Sequence, residues 1–216
     1  KKIKKGGLKK KLVLPESADI RTLKALSILS SKTWLGGVIT IGDASTIAKT
    51  AKSENIDIDK VEIIDTANHC DSEKYIEMFY EMRKDKGVDK DAARKFLSNP
   101  LFYGAMLVKD DKAQGMVAGA INTTADVLRS AIQIIKTAKG IKKVSSCFAM
   151  IVPNCQLGYT GKFIFADCAV IPDPDSDTLA DIAGASAKTF EIIYESKPII
   201  GFLSFSTKGS AEHQLV

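Results

Sequence analysis

The chain has 216 residues, of which 45% are apolar and 26% are charged, and its formal net charge is +5 at pH 7. This composition excludes a disordered chain and provides enough apolar residues for one large domain or two modest ones. No apolar run approaches the roughly 20 residues of a membrane-spanning helix, and the first residues lack a secretion signal, so we expect a cytoplasmic protein without a membrane partner.

The positive charge is concentrated at the start of the sequence. Seven lysines and no acidic residue occur in residues 1–11, and removing these seven from the 31 basic residues leaves 24 against 26 acidic residues. The rest of the chain is therefore slightly acidic, and we interpret the basic start as a solvated segment ahead of the first strand. We expect no nucleic-acid partner.

Predicted strands and helices alternate over the first 140 residues. Short apolar runs predict buried strands at 11–15, 36–42, 60–65 and 115–120. Helical spacing of apolar residues, together with capping residues, predicts helices at 19–31, 43–55, 71–86, 89–97, 100–108 and 124–138. This alternation indicates an α/β domain with a mainly parallel sheet that is covered on both faces.

The pattern changes after Gly140. Two apolar runs, 145–153 and 161–172, are too close for a helical crossover and predict a hairpin or an adjacent pair of strands. An amphipathic helix is predicted at 178–196, and residues 198–211 predict a last buried strand that runs into a turn. A second domain is therefore expected to begin near Gly140.

Metal binding and disulfides are not expected from the cysteines and histidines. They contain no C-x-x-C pair and offer no zinc-binding spacing. A lysine-rich chain without a secretion signal is expected to keep its cysteines as free thiols, buried or half-buried. The residues concerned are Cys70, Cys147, Cys155, Cys168, His69 and His213.

Arginine is rare, since it supplies only four of the 31 basic residues. Its permanently charged planar fork suits phosphate and carboxylate better than lysine does, so each arginine is a candidate anion ligand. The alternative, an ordinary surface position, stays open above all for Arg94. Arg83 ends an apolar helix stripe and either reaches the rim or points into a cleft. The four are Arg21, Arg83, Arg94 and Arg129.

The segment GMVAGAINTTADVLR at 115–129 predicts a strand, a turn of small residues and the start of a helix. Gly119, Ala120 and Asn122 leave the backbone open to close approach. Free N–H groups at the start of a helix are suited to bind an anion. The alternative is an ordinary capped helix after an ordinary strand.

Hydroxyl groups follow two of the predicted strands. Thr123 and Thr124 either cap the helix or donate to an oxygen, and Arg129 in the same helix offers its fork to phosphate. Ser206 and Thr207 repeat this chemistry after the last predicted strand. Because open α/β sheets bind ligands at the carboxyl ends of their strands, both turns are candidate binding sites.

Three common functional motifs are absent. The sequence contains no G-x-x-x-x-G-K-[ST], no G-x-G-x-x-G and no G-x-S-x-G. These absences argue against a kinase, a nucleotide-binding dehydrogenase of the usual type and a serine hydrolase.

Five segments carry a likeness to a known family. They are LPESADIRTLKA, FYEMRKDKG, GMVAGAINTTADVLRSAIQIIKTAKG, FIFADCAV and LSFSTKGSA. In their order and spacing they resemble the N-terminal portion of the phosphate acetyltransferases, also called phosphotransacetylases. The likeness extends over the chain from Lys11 onward.

The resemblance implies a three-layer α/β fold with a mainly parallel sheet, similar to the isocitrate and isopropylmalate dehydrogenases, in which two domains flank a cleft. We expect residues 1–140 to form the first domain, without the C-terminal helices that complete it in the family. Residues 141–216 are expected to begin the second domain, whose C-terminal part is absent from this sequence. Family members commonly form homodimers, and we expect the same of the complete protein.

The resemblance also implies exchange of an acetyl group between coenzyme A and inorganic phosphate, by direct thiolate attack on acetyl phosphate in a ternary complex. Coenzyme A, acetyl-CoA, acetyl phosphate and phosphate are then the small-molecule partners, and no cofactor is expected. Matched by motif, the residues implicated in catalysis are Arg129 and Arg83. Those implicated in substrate binding are Arg21, for coenzyme A, and the hydroxyl residues Thr123, Thr124, Ser206 and Thr207.

The sequence departs from the family pattern in one respect. It lacks the D-G-E-x-Q segment, the A-N-V-x-x-F-P-D-L segment and the serine-arginine loop that is followed by the family's presumed thiol base, so we expect no transferase activity from this chain alone. Two related functions stay open: a phosphate butyryltransferase, and the acyl-CoA-sensing domain that is appended to some malic enzymes. The LPES-x-DIRTLKA opening favours acetyl.

Overall fold

The computed structural model describes residues 10–138, 141, 143–203, 206 and 209–210. The chain forms two compact units, Lys1–Lys136 and Thr137–Val216. Among the described residues, no helix combines the length and the apolar character that crossing a membrane requires.

The first unit alternates strands and helices, as the sequence predicts. Its strands are β1 (Lys10–Val13), β2 (Leu35–Ile41), β3 (Val61–Ile64) and β4 (Gly115–Met116). Its helices are α1 (Ile20–Ser30), α2 (Ala44–Ser53), α3 (Ser72–Arg83), α4 (Lys90–Leu97), α5 (Pro100–Lys109) and α6 (Thr124–Ile134), and a 3₁₀ turn (Lys84–Lys86) follows α3.

The four strands form one parallel sheet in the order β3-β2-β1-β4. In β1, Val13 pairs with Ile39 of β2 on one side and with Met116 of β4 on the other. Because all strands are parallel, their carboxyl ends meet at one edge of the sheet. The segments that follow β1 and β4 are therefore neighbours, although they are far apart in the sequence.

Apolar side chains build a core on each face of this sheet. In β2, Val38 belongs to a cluster with Leu23 of α1, whereas its neighbour Ile39 belongs to a cluster with Phe79 of α3 and Met106 of α5. Adjacent strand residues point to opposite faces, so the two clusters lie on opposite sides of the sheet. The prediction of a parallel sheet with helices on both faces is confirmed for this unit.

The helix starts follow from the predicted caps. The side chains of Asp19 and Asp43 each accept a backbone N–H group at the start of the helix that follows. Most boundaries lie within about three residues of the sequence prediction, and two elements of this unit end four residues early. Helix α6 ends at Ile134 because Lys136 adopts a left-handed conformation, with φ of 68°. Strand β4 ends at Met116, although the N–H of Val117 still donates to the carbonyl oxygen of Val13 at 2.9 Å.

The second unit contains an antiparallel strand pair and a long helix. β5 (Cys147–Ile151) pairs with β6 (Lys162–Ala166), and α7 (Ser176–Tyr194) follows them. The predicted hairpin and helix are thus confirmed. Although the two runs are apolar, every residue of β5 is exposed and β6 is at most half-buried.

The predicted last strand is wrong for its described part. Residues 198–203 form no strand, and the side chains of Ile199 and Leu203 are 99% and 96% exposed. These residues line a cavity of about 830 Å³ together with β6 and α7. A buried strand needs a neighbouring strand to bind its backbone, and among the described residues of this unit only β5 and β6 pair with each other.

The cysteines are free thiols, as predicted. Cys155 and Cys168 are half-buried, but Cys70 and Cys147 are exposed, so the expectation of burial is wrong for these two. Cys70 lies in the loop before α3, and Cys147 begins the exposed strand β5.

Candidate active site

The turn after β4 binds a carboxylate of the chain itself. Glu16 follows β1, is only 5% exposed, and reaches the backbone N–H groups of residues 119–122, which we call the 119–122 nest. Oε2 accepts from Gly119 at 2.8 Å and Ala120 at 2.7 Å, and Oε1 accepts from Ile121 at 3.0 Å and Asn122 at 2.9 Å. The side-chain amide of Asn122 donates a fifth hydrogen bond to Oε1 at 2.8 Å.

These hydrogen bonds keep Glu16 ionised. Burial alone would raise the pKa of its carboxyl group, but hydrogen bonds from Ala120, Asn122 and Ile121 outweigh this penalty and lower the pKa to about 2. The sequence therefore predicts correctly that this turn binds an anion. The expectation that the backbone of residues 119–122 is open to a ligand is wrong, because Glu16 accepts its N–H groups. That the N–H groups at the start of α6 bind an anion stays a prediction. The available signal was an acidic residue directly after a strand that lies beside β4.

Arg21 is also engaged at this edge of the sheet. Its Nε and Nη2 atoms donate to the carboxylate of Asp19, with an Nη2–Oδ2 distance of 2.7 Å, and Nη2 donates to the carbonyl oxygen of Ala120 at 2.6 Å. The side chain is 71% exposed. Nη1 has no hydrogen-bond partner among the described residues, so one face of the guanidinium remains available to a ligand.

The start of α6 holds Arg129 through Asp126. Thr123 caps the helix, because its hydroxyl oxygen accepts the N–H of Asp126 at 3.2 Å and donates to Asp126 Oδ2 at 2.7 Å. The other oxygen of Asp126 accepts Arg129 Nη1 at 3.3 Å. Thr124 opens the helix and is exposed. In the described part of the chain, Nε and Nη2 of Arg129 make no hydrogen bond. This edge of the guanidinium can therefore bind a phosphate group in bidentate fashion.

Arg129 lines a cavity of about 520 Å³ between α4, α5 and α6. The wall combines two cations, one carboxylate, two side-chain amides and two phenylalanine rings. The polar lining residues are Lys95, Asn99, Asn122, Asp126 and Arg129, and the apolar ones are Ala92, Phe96, Leu101 and Phe102. An anion with a small apolar substituent fits this combination of groups.

Arg83 does not line this cavity. It ends α3, whose apolar stripe includes the buried Ile76 and Phe79, and its own side chain is half-buried. Its Nε atom is buried without a hydrogen-bond partner among the described residues. Gly87 adopts a left-handed φ of 78° and ends the turn after α3, which confirms the predicted stop.

Three of the four arginines form ion pairs in the described structure. Arg94 binds both carboxylate oxygens of Glu73, at 2.5 and 3.1 Å, on the surface of α4. Arg21 and Arg129 pair with acidic residues close to them in the sequence, as given above. Arg94 therefore follows the alternative interpretation of a surface ion pair, whereas Arg129 combines an ion pair with a cavity.

The second unit contains its own carboxylate that accepts several hydrogen bonds, the half-buried Asp167. Asp167 follows β6 and accepts the N–H and hydroxyl of Ser146 at 2.7 and 2.8 Å, and the N–H groups of Ala169 and Val170 at 2.8 Å. Burial opposes ionisation, but these hydrogen bonds hold the pKa of Asp167 well below its usual range. Of the predicted hydroxyl pair in this unit, Ser206 is half-buried and Thr207 lies outside the described residues.

His69, Cys70 and Asp71 place one nitrogen, one sulfur and one oxygen donor within 4.8 Å of one another. The sequence argument about zinc spacing did not consider this tripeptide. Nδ1 of His69 lies 2.9 Å from the hydroxyl of Tyr103 and accepts the N–H of Asp71 at 3.3 Å, and Lys112 Nζ lies 3.9 Å from Asp71 Oδ2. These contacts already engage His69 and Asp71.

Comparison with known proteins decides the family. The sequence profile of the phosphate acetyl/butaryl transferases matches residues 1–216. The chain belongs to this family. Phosphate acetyltransferase of Acetivibrio thermocellus is 46% identical over 206 residues, which are 95% of this chain and 61% of that protein. The enzyme of the same name from Thermoanaerobacterium thermosaccharolyticum is 48% identical over 208 residues, 96% of this chain and 62% of that protein.

Two solved phosphotransacetylases share the fold. EutD phosphotransacetylase from Staphylococcus aureus superposes with a TM-score of 0.81 at 37% identity, over 95% of this chain and 60% of its own. A phosphotransacetylase from Streptococcus pyogenes gives 0.82 at 36% identity, over 96% and 61%. The chain thus spans about three fifths of the length of these family members. The resemblance to the N-terminal portion of phosphate acetyltransferases is confirmed, while the kinship with isocitrate dehydrogenase stays a prediction.

Proposed function

We propose that the protein exchanges an acetyl group between coenzyme A and inorganic phosphate, by direct attack of the coenzyme A thiolate on the carbonyl carbon of acetyl phosphate. Coenzyme A acts as a substrate, and the reaction as proposed uses no cofactor. Family membership over the whole chain and the names of its relatives support this reaction. The observation that carries the proposal at the level of residues is the cavity lined by Arg129.

The main chemical obstacle is repulsion between two anionic reactants. A thiolate approaches an acyl phosphate only when the negative charge of the phosphoryl group is neutralised, and a guanidinium does this without losing its own charge. We assign this role to Arg129. Its Nη1 atom stays on Asp126 at 3.3 Å while Nε and Nη2 bind two phosphoryl oxygens, so that the ion pair orients the fork.

Arg83 and Arg21 receive the remaining charged roles. We assign Arg83 to catalysis by the family motif. Its buried Nε atom, which has no hydrogen-bond partner among the residues that the structure describes, supports a role for this group beyond a surface ion pair. Arg21 is assigned to a phosphate of coenzyme A. Its Nη1 side is available while Nε and Nη2 remain on Asp19 and Ala120, so binding requires no loss of existing contacts.

The hydroxyl residues divide into two kinds. Thr123 already donates its hydroxyl hydrogen to Asp126, so it supports the substrate site by fixing the start of α6. Thr124 is exposed beside it and is assigned to direct contact with a substrate oxygen. Ser206 and Thr207 are assigned the same role from the second unit, on the family motif alone.

We propose that these 216 residues bind substrates but do not turn them over. The family resemblance places the thiol base in a segment that this sequence does not contain, and the ordinary pKa of a thiol, about 8.5, leaves most of it protonated at pH 7. The complete protein is proposed to be a cytoplasmic homodimer. Acetyl-CoA formation by the purified 216-residue chain would contradict the proposal of inactivity.

The test of the function compares two arginine variants of the complete enzyme. Arg129→Ala is expected to lower kcat by about 10²–10³-fold, the usual effect of removing one donor that stabilises transition-state charge. The matched control is Arg94→Ala, which removes a surface ion pair with Glu73 and is expected to leave turnover unchanged. Wild-type turnover in Arg129→Ala would overturn the assignment. Comparing acetyl with butyryl phosphate in the same assay decides the acyl preference.

A further inference from the structure

The Arg129 cavity contains a second cation that the family motifs do not include. Lys95 lies in the last turn of α4 and lines the same cavity of about 520 Å³. The carbonyl oxygen of Lys95 accepts the hydroxyl of Ser98 at 2.8 Å, but its Nζ atom makes neither a hydrogen bond nor an ion pair in the described part of the chain. Its neighbour Arg94 behaves differently, because both of its terminal nitrogens bind Glu73. Lys95 is therefore an uncompensated charge beside Arg129.

The rest of the lining does not cancel this charge. Asp126 is the acidic member of the lining set, and both of its oxygens are already engaged by Thr123 and Arg129. Asn99 caps α5 and accepts the N–H of Leu101 at 2.9 Å, which leaves its amide NH₂ as a donor. The N-terminus of α5 adds the positive end of a helix dipole. The polar side of the cavity thus offers mainly donors and positive charge.

The opposite wall is apolar. The rings of Phe96 and Phe102 lie 5.1 Å apart between their centroids, and both line the cavity. A free inorganic anion would use only the polar wall. An anion that carries a short acyl group would use both walls, with the phosphoryl group towards the cations and the acyl group towards the rings.

We propose that Lys95 and Arg129 together form a binding site for the phosphate group of the substrate, as inorganic phosphate in one direction of the reaction and as acyl phosphate in the other. Arg129 supplies the bidentate fork from α6, and Lys95 supplies a point charge from α4. This inference rests on the proposed function for the role of Arg129. It adds a substrate-binding residue, Lys95, that the family resemblance does not assign.

The test measures phosphate binding and steady-state kinetics in the complete enzyme. Inorganic phosphate is titrated by calorimetry into the wild type and four variants, which are Lys95→Gln, Asp126→Asn, Arg129→Ala and the control Lys109→Gln. Lys95→Gln is expected to weaken phosphate binding about tenfold, the effect of losing one charge-assisted contact. Asp126→Asn keeps a side-chain oxygen that can accept the hydroxyl of Thr123 but removes the negative charge beside the site, so phosphate binding is expected to tighten severalfold. Misfolding cannot explain two changes of opposite sign.

Lys109→Gln is the matched control. Lys109 is an exposed lysine at the far end of α5, outside the cavity lining, and its substitution is expected to leave phosphate binding unchanged. In kinetics, Lys95→Gln is expected to raise the KM for phosphate about tenfold and to leave the KM for coenzyme A unchanged.

The outcomes separate this inference from the proposed function. If Lys95→Gln binds phosphate like the wild type while Arg129→Ala loses binding, the role of Lys95 is overturned and the function stands. If Lys95→Gln raises only the KM for coenzyme A, Lys95 binds a phosphate of coenzyme A and the inference is again overturned. If the enzyme has no transferase activity but its phosphate binding depends on Lys95, the proposed reaction fails and the anion site stands.

Discussion

Glu16→Gln replaces the anion that five N–H donors share with a neutral amide of nearly the same shape. The side chain is 5% exposed, and its pKa is lowered from 4.5 to about 2 in the folded chain. A difference of about 2.5 pKa units corresponds to about 3 kcal/mol of folding free energy at neutral pH. The glutamine NH₂ group would also face the donors of the 119–122 nest. We therefore expect the free energy of unfolding to fall by about 3–4 kcal/mol.

The assay is urea unfolding of the wild type and of the Glu16→Gln variant as a function of pH. Because the folded pKa of Glu16 is depressed, its contribution is fully present above pH 4.5 and is lost as the pH falls towards 2. The difference between the wild type and Glu16→Gln should therefore be largest at pH 7 and shrink over this interval. Glu62→Gln is the control, since Glu62 forms an exposed ion pair with Lys11 and should contribute less than about 1 kcal/mol. A difference for Glu16→Gln below about 1 kcal/mol at pH 7, or one that does not change with pH, would refute the reasoning.

Four further predictions concern other parts of the chain. Gly42 has φ of 150°, and a Cβ atom there would lie 2.5 Å from Ser17 Oγ. Gly42→Ala should therefore lower the free energy of unfolding, measured by thermal denaturation, by about 1–3 kcal/mol. Gly184→Ala, in an open position of α7, should instead raise it by about 0.5–1 kcal/mol, and destabilisation there would contradict the account. Asp167→Asn should lower the free energy of unfolding of the second unit by about 2–3 kcal/mol, because four hydrogen-bond donors lose a charged acceptor. An unchanged Tm in thermal unfolding would count against this. Arg21→Lys should raise the KM for coenzyme A roughly tenfold and leave the KM for phosphate unchanged, since a lysine ammonium cannot bind Asp19 and a ligand in the way that the guanidinium does. Equal effects on both KM values would indicate that Arg21 has only a structural role.

Local features of the fold were predictable from the sequence. Asp19 and Asp43 cap their helices through contacts within three residues, and apolar spacing placed Ile76 and Phe79 on the buried face of α3. The sequence also indicated that the backbone of residues 119–122 suits an anion, and the carboxylate of Glu16 binds there. Each of these inferences depends on neighbours in the sequence, which a reader of the sequence can see.

Features that depend on strand order were not predictable. Glu16 binds N–H groups more than 100 residues away, and only the adjacency of β1 and β4 brings them together. For the same reason, the apolar composition of residues 198–203 suggested a buried strand, although burial depends on partners that composition does not reveal. The rarity of arginine pointed to Arg129, but carboxylates use the same fork, as the pair of Arg94 with Glu73 illustrates.

The central claim is that Arg129 binds the phosphate group of the substrate while Glu16 keeps the 119–122 nest. A crystal structure of the complete protein with inorganic phosphate tests it most directly. We expect a phosphate that accepts hydrogen bonds from Nε and Nη2 of Arg129, with Nη1 still on Asp126 and Glu16 still in the nest. A phosphate bound in the nest with Glu16 displaced, or one remote from Arg129, would contradict the account.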